Sequence, residues 1–454
     1  MRLLSLACAL ALGLSSVAAP AAPPAPATTV AGSEAIVSKT LANGLEIIVW
    51  PDHDIPNANY YTFYKVGSRN EYPGITGLAH YFEHMMFNGT TTRAPGEFDR
   101  QMEAAGGSNN ASTSNDLTIY TDWFPSSALE TIFDLEGDRM ANLAFDPKVV
   151  ESERGVVYSE RRSSVDNDNF GTLMEQMQAT AFTAHPYQFP TIGWPSDIEG
   201  WKLEDLKKFF RTYYAPNNAV LVVAGDVEPA QVFALADKYL ATLPKQPTPT
   251  PVTTVEPEQH GERRIVVERA NAQSPIVAYA FHSGIGAGST DFPALELLAT
   301  ILSQGQSSRL HQRLVEKEQA AVQAGAFAEG GFDPGLLWVY AMLPPGGDTA
   351  KVEMLLDEEL AKLARDGVTA AELDKARNLK ASAFWRGMAT INGKARALGT
   401  YAVFNGDHRK LFDAPAAFDA VTAADVQALA KKILRVQNRT TGLLKPVAAM
   451  EAAK

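Results

Sequence analysis

Apolar and polar residues alternate along 36–41 and again along 45–50, and Asn43-Gly44 joins the two runs. That dipeptide accepts the positive backbone angles of a tight turn, so the pattern predicts a β-hairpin. A further strand is expected over 59–66, and after Pro73-Gly74 the period changes to that of a helix around His80. A helix over 97–105, a turn at Gly106-Gly107 and strands over 110–114 and 117–124 follow. The helical period returns over 126–143, and after Asp146-Pro147 over 148–163. Residues 219–223 are uninterruptedly apolar and predict a strand buried on both faces, ending at Gly225-Asp226 before a helix over 229–240. Trp123, Phe124, Phe209 and Phe210 read as core. Gly106-Gly107 is too short to cradle a phosphate.

The pattern breaks at Pro244-Lys245-Gln246-Pro247-Thr248-Pro249-Thr250-Pro251, a semi-rigid linker. Beyond it, strands are expected over 264–267, 276–281 and 336–342, with a helix over 293–303. The two halves echo each other at an offset of 223 residues. Ile132-Phe133-Asp134, Met140-Ala141 and the run from Phe145 match Leu355-Leu356-Asp357, Leu363-Ala364 and the run from Val368. Each is a long helix, a short break and a second helix, which favours a duplication. Strands and helices mix without regular βαβ alternation, so the fold class is α+β. The expected division is 1–30 as leader and tether, 31–244 as the first domain, 245–263 as linker and 264–454 as a second, homologous domain. A chain of 454 residues exceeds what one core usually organises.

Met1-Arg2, an apolar run over 3–17 and small residues thereafter read as a secretory signal, with cleavage near Ala18, Ala21 or Ala27. The competing reading, an uncleaved anchor, requires a longer apolar run, and no other segment approaches a membrane span. Residues 19–29 are Ala/Pro-rich and expected to be a tether. Cys8, the one cysteine, lies inside the leader, so the mature chain would carry neither disulfide nor thiolate ligand. Export without disulfides points to the periplasm or to secretion. A net charge of −12 and the lack of a basic stripe disfavour a nucleic-acid partner.

The candidate chemistry sits in Gly77-Leu78-Ala79-His80-Tyr81-Phe82-Glu83-His84-Met85. Positions i, i+3 and i+4 share one side of a helix, so two imidazoles and a carboxylate project together. Neutral imidazoles suit Zn²⁺, and three protein ligands leave a position for a water whose pKa falls to about 7. H-x-x-E-H inverts the commoner H-E-x-x-H order. For the third ligand, the helix after Pro147 offers Glu151, Glu153 and Glu160. Glu153 and Glu160 are seven apart, hence on one face, and Val156 and Val157 between them suggest a partly buried side. At the repeat offset these carboxylates become Ala376 and Ala383. His53, His185, His260, His282, His311 and His408 have no ligand spacing and read as surface or packing residues.

His80-Tyr81-Phe82-Glu83-His84, with Glu160 after 75 intervening residues, resembles the signature of the pitrilysin/insulinase family of zinc metallopeptidases. Phe87-Asn88-Gly89-Thr90, Asn110-Ala111, Thr118-Ile119-Tyr120, Tyr213-Tyr214-Ala215-Pro216-Asn217-Asn218 and Val223-Ala224-Gly225-Asp226-Val227 resemble it too, over about residues 35–445. The resemblance implies two similar α+β domains, each an antiparallel sheet flanked by helices, with one zinc ion in the first alone. By analogy His80, His84 and Glu160 bind the metal. Glu83 is the general base on a zinc-bound water, and Glu153 is a second catalytic carboxylate that orients the site. Asn110 and Ala111 would hold a peptide substrate as an added β-strand, inside a chamber that excludes folded proteins.

Active relatives usually supply an Arg and a Tyr from the opposing half to bind the substrate carbonyl. Here Val315 and Val322 stand in those places. The resemblance therefore implies a catalytic subunit whose homologous partner supplies the Arg/Tyr pair. The alternative is a homodimer in which Arg309 or Arg313 and another tyrosine serve. A zinc endopeptidase is the expected function, against a non-catalytic assembly subunit of the same family or a zinc hydrolase of non-peptide substrates.

Overall fold

The computed structural model describes residues 30–447. The leader, Cys8 and the tether over 19–29 lie outside the described residues.

Among the described residues eleven strands form two sheets. β1 (Val37–Thr40), β2 (Glu46–Pro51), β3 (Asn57–Tyr64), β4 (Ser108–Thr113), β5 (Thr118–Pro125) and β6 (Ala219–Gly225) make the first, in the order β1-β2-β6-β3-β5-β4. β7 (Arg263–Arg269), β8 (Ile276–His282), β9 (Gln323–Ala328), β10 (Leu336–Met342) and β11 (Arg439–Pro446) make the second, in the order β7-β11-β8-β10-β9. The second order reproduces the first once β1 is removed. In each sheet a single parallel pair, β2 with β6 and β7 with β11, sits among antiparallel ones. Residues 245–262, where the prolines cluster, run without helix or strand between the two.

The helices repeat as well. The first half carries α1 (Leu78–Met85), α2 (Glu97–Ala104), α3 (Leu129–Asn142), α4 (Pro147–Arg161), α5 (Asn169–Ala181), α6 (Pro195–Gly200), α7 (Leu203–Tyr213) and α8 (Pro229–Tyr239). The second carries α9 (Phe292–Ser303), α10 (Thr349–Asp366), α11 (Ala370–Met388), α12 (Ile391–Asn405), α13 (Ala414–Ala420) and α14 (Ala423–Ile433). The succession α3-α4-α5 corresponds to α10-α11-α12. The last strand of each half is entered by the same device. Asn218 Nδ2 donates to Tyr213 O (2.8 Å) and Lys65 O (3.3 Å), and Asn438 Nδ2 donates to Ile433 O (3.0 Å) and His282 O (2.9 Å). Each buried amide satisfies a carbonyl left over at a helix end and one just beyond or at the end of the neighbouring strand. The chain is thus α+β with two similar domains.

Each half covers one face of its own sheet and one face of the other. Tyr60, Tyr120, Phe124, Leu221 and Val223 pack beneath α1, α3 and α8. The opposite face, with Ile48, Trp50, Phe63, Val220 and Val222, is closed by Ala395, Leu398, Ala402 and Val403 of α12, a helix of the second half. Reciprocally, Leu173, Met177 and Ala181 of α5 close the second sheet over Ala278, Ala280, Leu336, Trp338 and Leu444. Both faces being buried, β6 reads as an unbroken apolar run. Glycines mark the closest approaches: a Cβ on Gly399 would lie 2.0 Å from the Phe63 ring, and one on Gly442 would lie 2.3 Å from Met177 Sδ.

Three expectations need correction. Trp123 is 43% exposed, because alternation along β5 sends Phe124 into the core and Trp123 to the opposite face, outside the cluster that α12 closes. Val156 is exposed whereas Val157 is fully buried, so the inward face of α4 is narrower than the apolar pair suggested. The helix expected from 126 begins as a single 3-10 turn, Ser126–Ala128, before α3. The periodicity gave no warning of α5 or α12 as bridging elements, since both helices are flanked by apolar surface from two halves and lack a clean polar stripe.

Overpacking at the exchange should be costly. Gly399→Ala is expected to lower stability by about 1–3 kcal/mol, visible as a lower Tm, with both sheets melting in one transition. Separate melting of the two sheets would contradict the exchange as their common support.

Candidate metal centre

α1 is short, eight residues, and is held at both ends and along its length by tertiary contacts. It starts at Gly77, whose φ of +89° is left-handed. The buried Glu71 carboxylate accepts Gly77 N–H and Ala79 N–H, each at 2.7 Å, satisfying donors a helix leaves open. Thr76 is bonded at every polar atom: its N–H and Oγ1 donate to Asp197 (3.2 and 2.7 Å), Oγ1 accepts Trp194 N–H (3.0 Å), and its carbonyl accepts Trp201 Nε1 (3.1 Å). Leu78, Ala79, Tyr81, Phe82 and Met85 face the core, and Tyr120 Oη donates to Phe82 O at 3.0 Å. That packing leaves His80, Glu83 and His84 turned to α4 and β4.

α4 opens with Pro147 after the N-cap Asp146, which accepts Lys148 N–H at 2.7 Å. Tyr81 Oη donates to Val150 O (2.9 Å), fixing the two helices together. His84 Nε2 and His80 Nε2 stand 3.2 and 3.6 Å from Glu160 Oε2, and the three ligand atoms lie within 4.8 Å of one another. Ligands at about 2.0–2.1 Å in tetrahedral array are about 3.3–3.4 Å apart, so these spacings fit zinc. The donor chemistry fits too. Glu153 Oε1 holds His84 Nδ1 at 2.8 Å, which turns the Nε2 lone pair toward Glu160. Burial, then the neighbouring His84, pushes the His80 pKa down to about 3, so this imidazole is neutral. Its buried Nδ1 has no protein partner. Two imidazoles and a carboxylate thus turn their donor atoms toward one point, a set that suits a divalent cation.

Glu83 stands beside this triad and accepts Thr113 Oγ1 at 2.5 Å. Burial raises its pKa, against the opposing pull of Thr113 and His84 and with the charge of Glu160 adding to the rise. For His84, burial favours the neutral ring, but Glu153, Glu160 and Glu83 together raise its pKa. Asn88 Nδ2 donates to Glu153 Oε2 (2.8 Å) and His84 O (3.1 Å), tying the orienting carboxylate to the end of α1. Asn110 and Ala111 lie on β4, whose outer edge has no strand partner among the described residues. Asn110 Oδ1 accepts Ala111 N–H at 2.9 Å. The β4–β5 turn is anchored through Asp116, which accepts Tyr187 Oη (2.9 Å), Arg69 Nη1 (3.1 Å) and Phe332 N–H (3.3 Å).

His80, Glu83, His84, Glu153 and Glu160 are therefore brought together, with Ala111 on the strand that carries Thr113. Glu151 is not part of this group; it pairs with Arg154. Sequence reasoning missed Glu71, which lies six residues before Gly77 and outside the usual capping position, and Thr113, which meets Glu83 from β4. Asn88 carried a signal only as part of the run Phe87-Asn88-Gly89-Thr90, just past the end of α1. Val315 is half-buried and Val322 is 63% exposed. Arg309 makes a two-pronged pair with Glu372 (2.7 and 2.9 Å), and Arg313 pairs with Glu318 and Glu358.

Comparison with known proteins follows the same lines. Residues 52–193 match the family model described as Insulinase (Peptidase family M16), and residues 200–380 match that of the peptidase M16 inactive domain. The zinc protease PqqE of Helicobacter pylori is 34% identical over 90% of this chain and 92% of its own length. The zinc protease YmxG of Bacillus subtilis is 24% identical over 87% and 94%. A crystal structure of a protease from Helicobacter pylori superposes with a TM-score of 0.87 at 32% identity, covering 90% of this chain and 99% of that one. A peptidase M16 inactive domain from Pseudomonas fluorescens, 18% identical, shares the fold at 0.83 over 92% and 100%. The chain belongs to the insulinase family, peptidase family M16, a family of zinc peptidases.

Removing the orienting carboxylate should loosen the metal: Glu153→Ala is expected to weaken zinc binding about 10–100-fold, read by competition with a chelator. Zinc at 100 times its Kd should stabilise the fold by about 2.7 kcal/mol, raising Tm in the wild type and not in His84→Ala. The Arg309 pair has its own signature. Burial alone would raise the Glu372 pKa, but Arg309 and Thr369 N–H bring it down to about 2. Its stabilisation is present above the unfolded value near 4.3 and is lost as pH falls toward 2. Glu372→Gln should therefore be less stable at pH 7 and show a shallower stability loss between pH 4.5 and 2 in acid titration.

Proposed function

We propose that this chain is a zinc-dependent endopeptidase for unfolded peptides or small polypeptides, with one metal ion held by His80, His84 and Glu160. The observation that carries this reading is the convergence of those three donor atoms beside Glu83, next to an open sheet edge. Zinc bound there supplies positive charge that polarises a scissile carbonyl and acidifies water.

The chain's own residues do the rest. Glu83, a carboxylate made more basic by burial, takes the proton from the attacking water as its oxygen bonds to the carbonyl carbon. It hands that proton to the leaving amine nitrogen as the C–N bond breaks. Thr113 fixes which way the Glu83 carboxylate points, and Glu153 fixes the His84 ring. The free edge of β4 suits an extended peptide, which would pair with main-chain groups near Asn110 and Ala111 and so reach Glu83 through the strand that carries Thr113. Main-chain pairing is indifferent to side chains and requires an extended substrate, which selects unfolded polypeptide.

A homologous partner subunit completes the site in this reading. Val315 and Val322 carry no hydrogen-bond donor in their side chains, and Arg309 and Arg313 are committed to carboxylates. An Arg and a Tyr from the partner would stabilise the oxyanion, enclosing the substrate in a chamber. Among the described residues no helix is long and apolar enough to cross a membrane, and the N-terminal pattern supports export to the periplasm.

Glu83→Gln is expected to retain one zinc per chain and lose peptide cleavage by about 10²–10⁴-fold, measured on an unfolded-peptide library with the partner present. Cleavage at the wild-type rate would remove Glu83 from the chemistry. Full activity of the chain purified alone would remove the partner.

A further inference from the structure

Resting on the zinc-site reading above, we infer that Arg161 is a positioning residue for the metal: with Glu175 and the Gly193 carbonyl it clamps the end of α4 to the start of α1, setting the gap between Glu160 and the two imidazoles. Arg161 is 3% exposed. Nη1 donates to Glu175 Oε2 and to Gly193 O, each at 2.7 Å, and Nη2 donates to Glu175 Oε1 at 2.8 Å. Such a two-pronged pair fixes direction as well as distance.

Gly193 is the other half of the clamp. Its φ is +87°, facing Gly77 at +89°. A Cβ on Gly77 would lie 2.6 Å from Ile192 O and 2.8 Å from Gly193 Cα, and one on Gly193 would lie 2.5 Å from Thr76 O. The two backbones touch with no side chain between them. Arg161 thus reaches the first turn of the helix bearing His80 and His84 through one carbonyl. From the other side it is the residue next to Glu160. Beyond it α4 relaxes into a wider π turn, Arg162–Asp166, where Ser163 and Ser164 hydroxyls both donate to Glu160 O at 2.9 Å. The Glu160 side chain is 42% exposed and faces only the two rings. Its place depends on where the end of α4 is held.

The duplication supplies an independent comparison. At the offset of 223 that turns Glu153 and Glu160 into Ala376 and Ala383, Arg161 becomes Phe384. α5 and α12 start alike, Asp168 capping Gly171 N–H and Thr390 capping Gly393 N–H. Counting from those caps, Glu175 falls on Ala397. The half without carboxylate ligands has neither member of the clamp, although the same three helices are present.

The test is zinc affinity of the full chain, measured with Zn²⁺ alone against a chromogenic chelator well below Tm. Arg161→Met is expected to weaken zinc about tenfold or more, and Arg161→Lys, which keeps charge but loses the fork, to fall between. Arg439→Met is the control. Arg439 is also buried and is bonded to Glu262 and Asp357 in the second half, so Arg439→Met should lose thermal stability and keep wild-type zinc affinity. Where Arg161→Met does not fold, Glu175→Gln carries the same comparison. Unchanged zinc affinity in folded Arg161→Met or Glu175→Gln overturns the clamp alone, provided the wild type binds zinc and His80→Ala does not. A wild type that takes up no zinc overturns the metal site and the clamp together.

Discussion

A β-sheet with two apolar faces cannot stand with one of them in water, and in this chain neither half covers both faces of its own sheet. α12 closes the first sheet over Trp50, Phe63 and Val222, and α5 closes the second over Trp338 and Leu444. Burying one large apolar side chain is worth about 1.5–3 kcal/mol, so leaving either face open would forfeit much of what a marginally stable fold has. The exchange makes the halves interdependent. It also fixes where α4 ends, because α4 leads through the π turn directly into α5, and α5 is anchored in the opposite half.

The candidate metal centre inherits its geometry from that constraint. Two of its three donors come from one turn of α1, and the third comes from α4, which runs on through the π turn into α5, the helix committed to the other sheet. α1 is too short to be stable by its own propensity. It is held by Glu71 at its start, Asn88 at its end and aromatic packing along its side. The buried carboxylates around it are each matched to a donor: Glu71 to backbone N–H, Glu153 to His84 and Asn88, Glu83 to Thr113. Glu160, 42% exposed, is turned instead to the two imidazoles.

The two halves share one scaffold and differ in the side chains it carries. The sheet order, the single parallel pair, the asparagine before the last strand and the helix succession are common to both halves. The carboxylates of α4 and the Arg161–Glu175 pair are confined to one. The second half keeps the scaffold and fills the same places with Ala376, Ala383, Phe384 and Ala397. Its loop between β9 and β10 still serves the first half, since Phe332 N–H bonds Asp116 at the turn beside the open edge strand.

The amino-acid sequence by itself determined the parts whose geometry is local. The i, i+3, i+4 spacing of His80, Glu83 and His84 follows from helical pitch, the hairpin around Asn43-Gly44 from turn chemistry, and the shared face of Glu153 and Glu160 from seven-residue spacing. It also carried the family signature and the weak internal repeat. Only the tertiary structure decided that Glu160 and not Glu151 meets the imidazoles, that Glu71 caps α1, that Thr113 reaches Glu83, that Trp123 faces outward and that α5 and α12 change partners. Local periodicity records what each residue does relative to neighbours within a turn or a strand. Contacts between elements far apart in the chain depend on how the whole chain closes, and no short-range pattern encodes that closure.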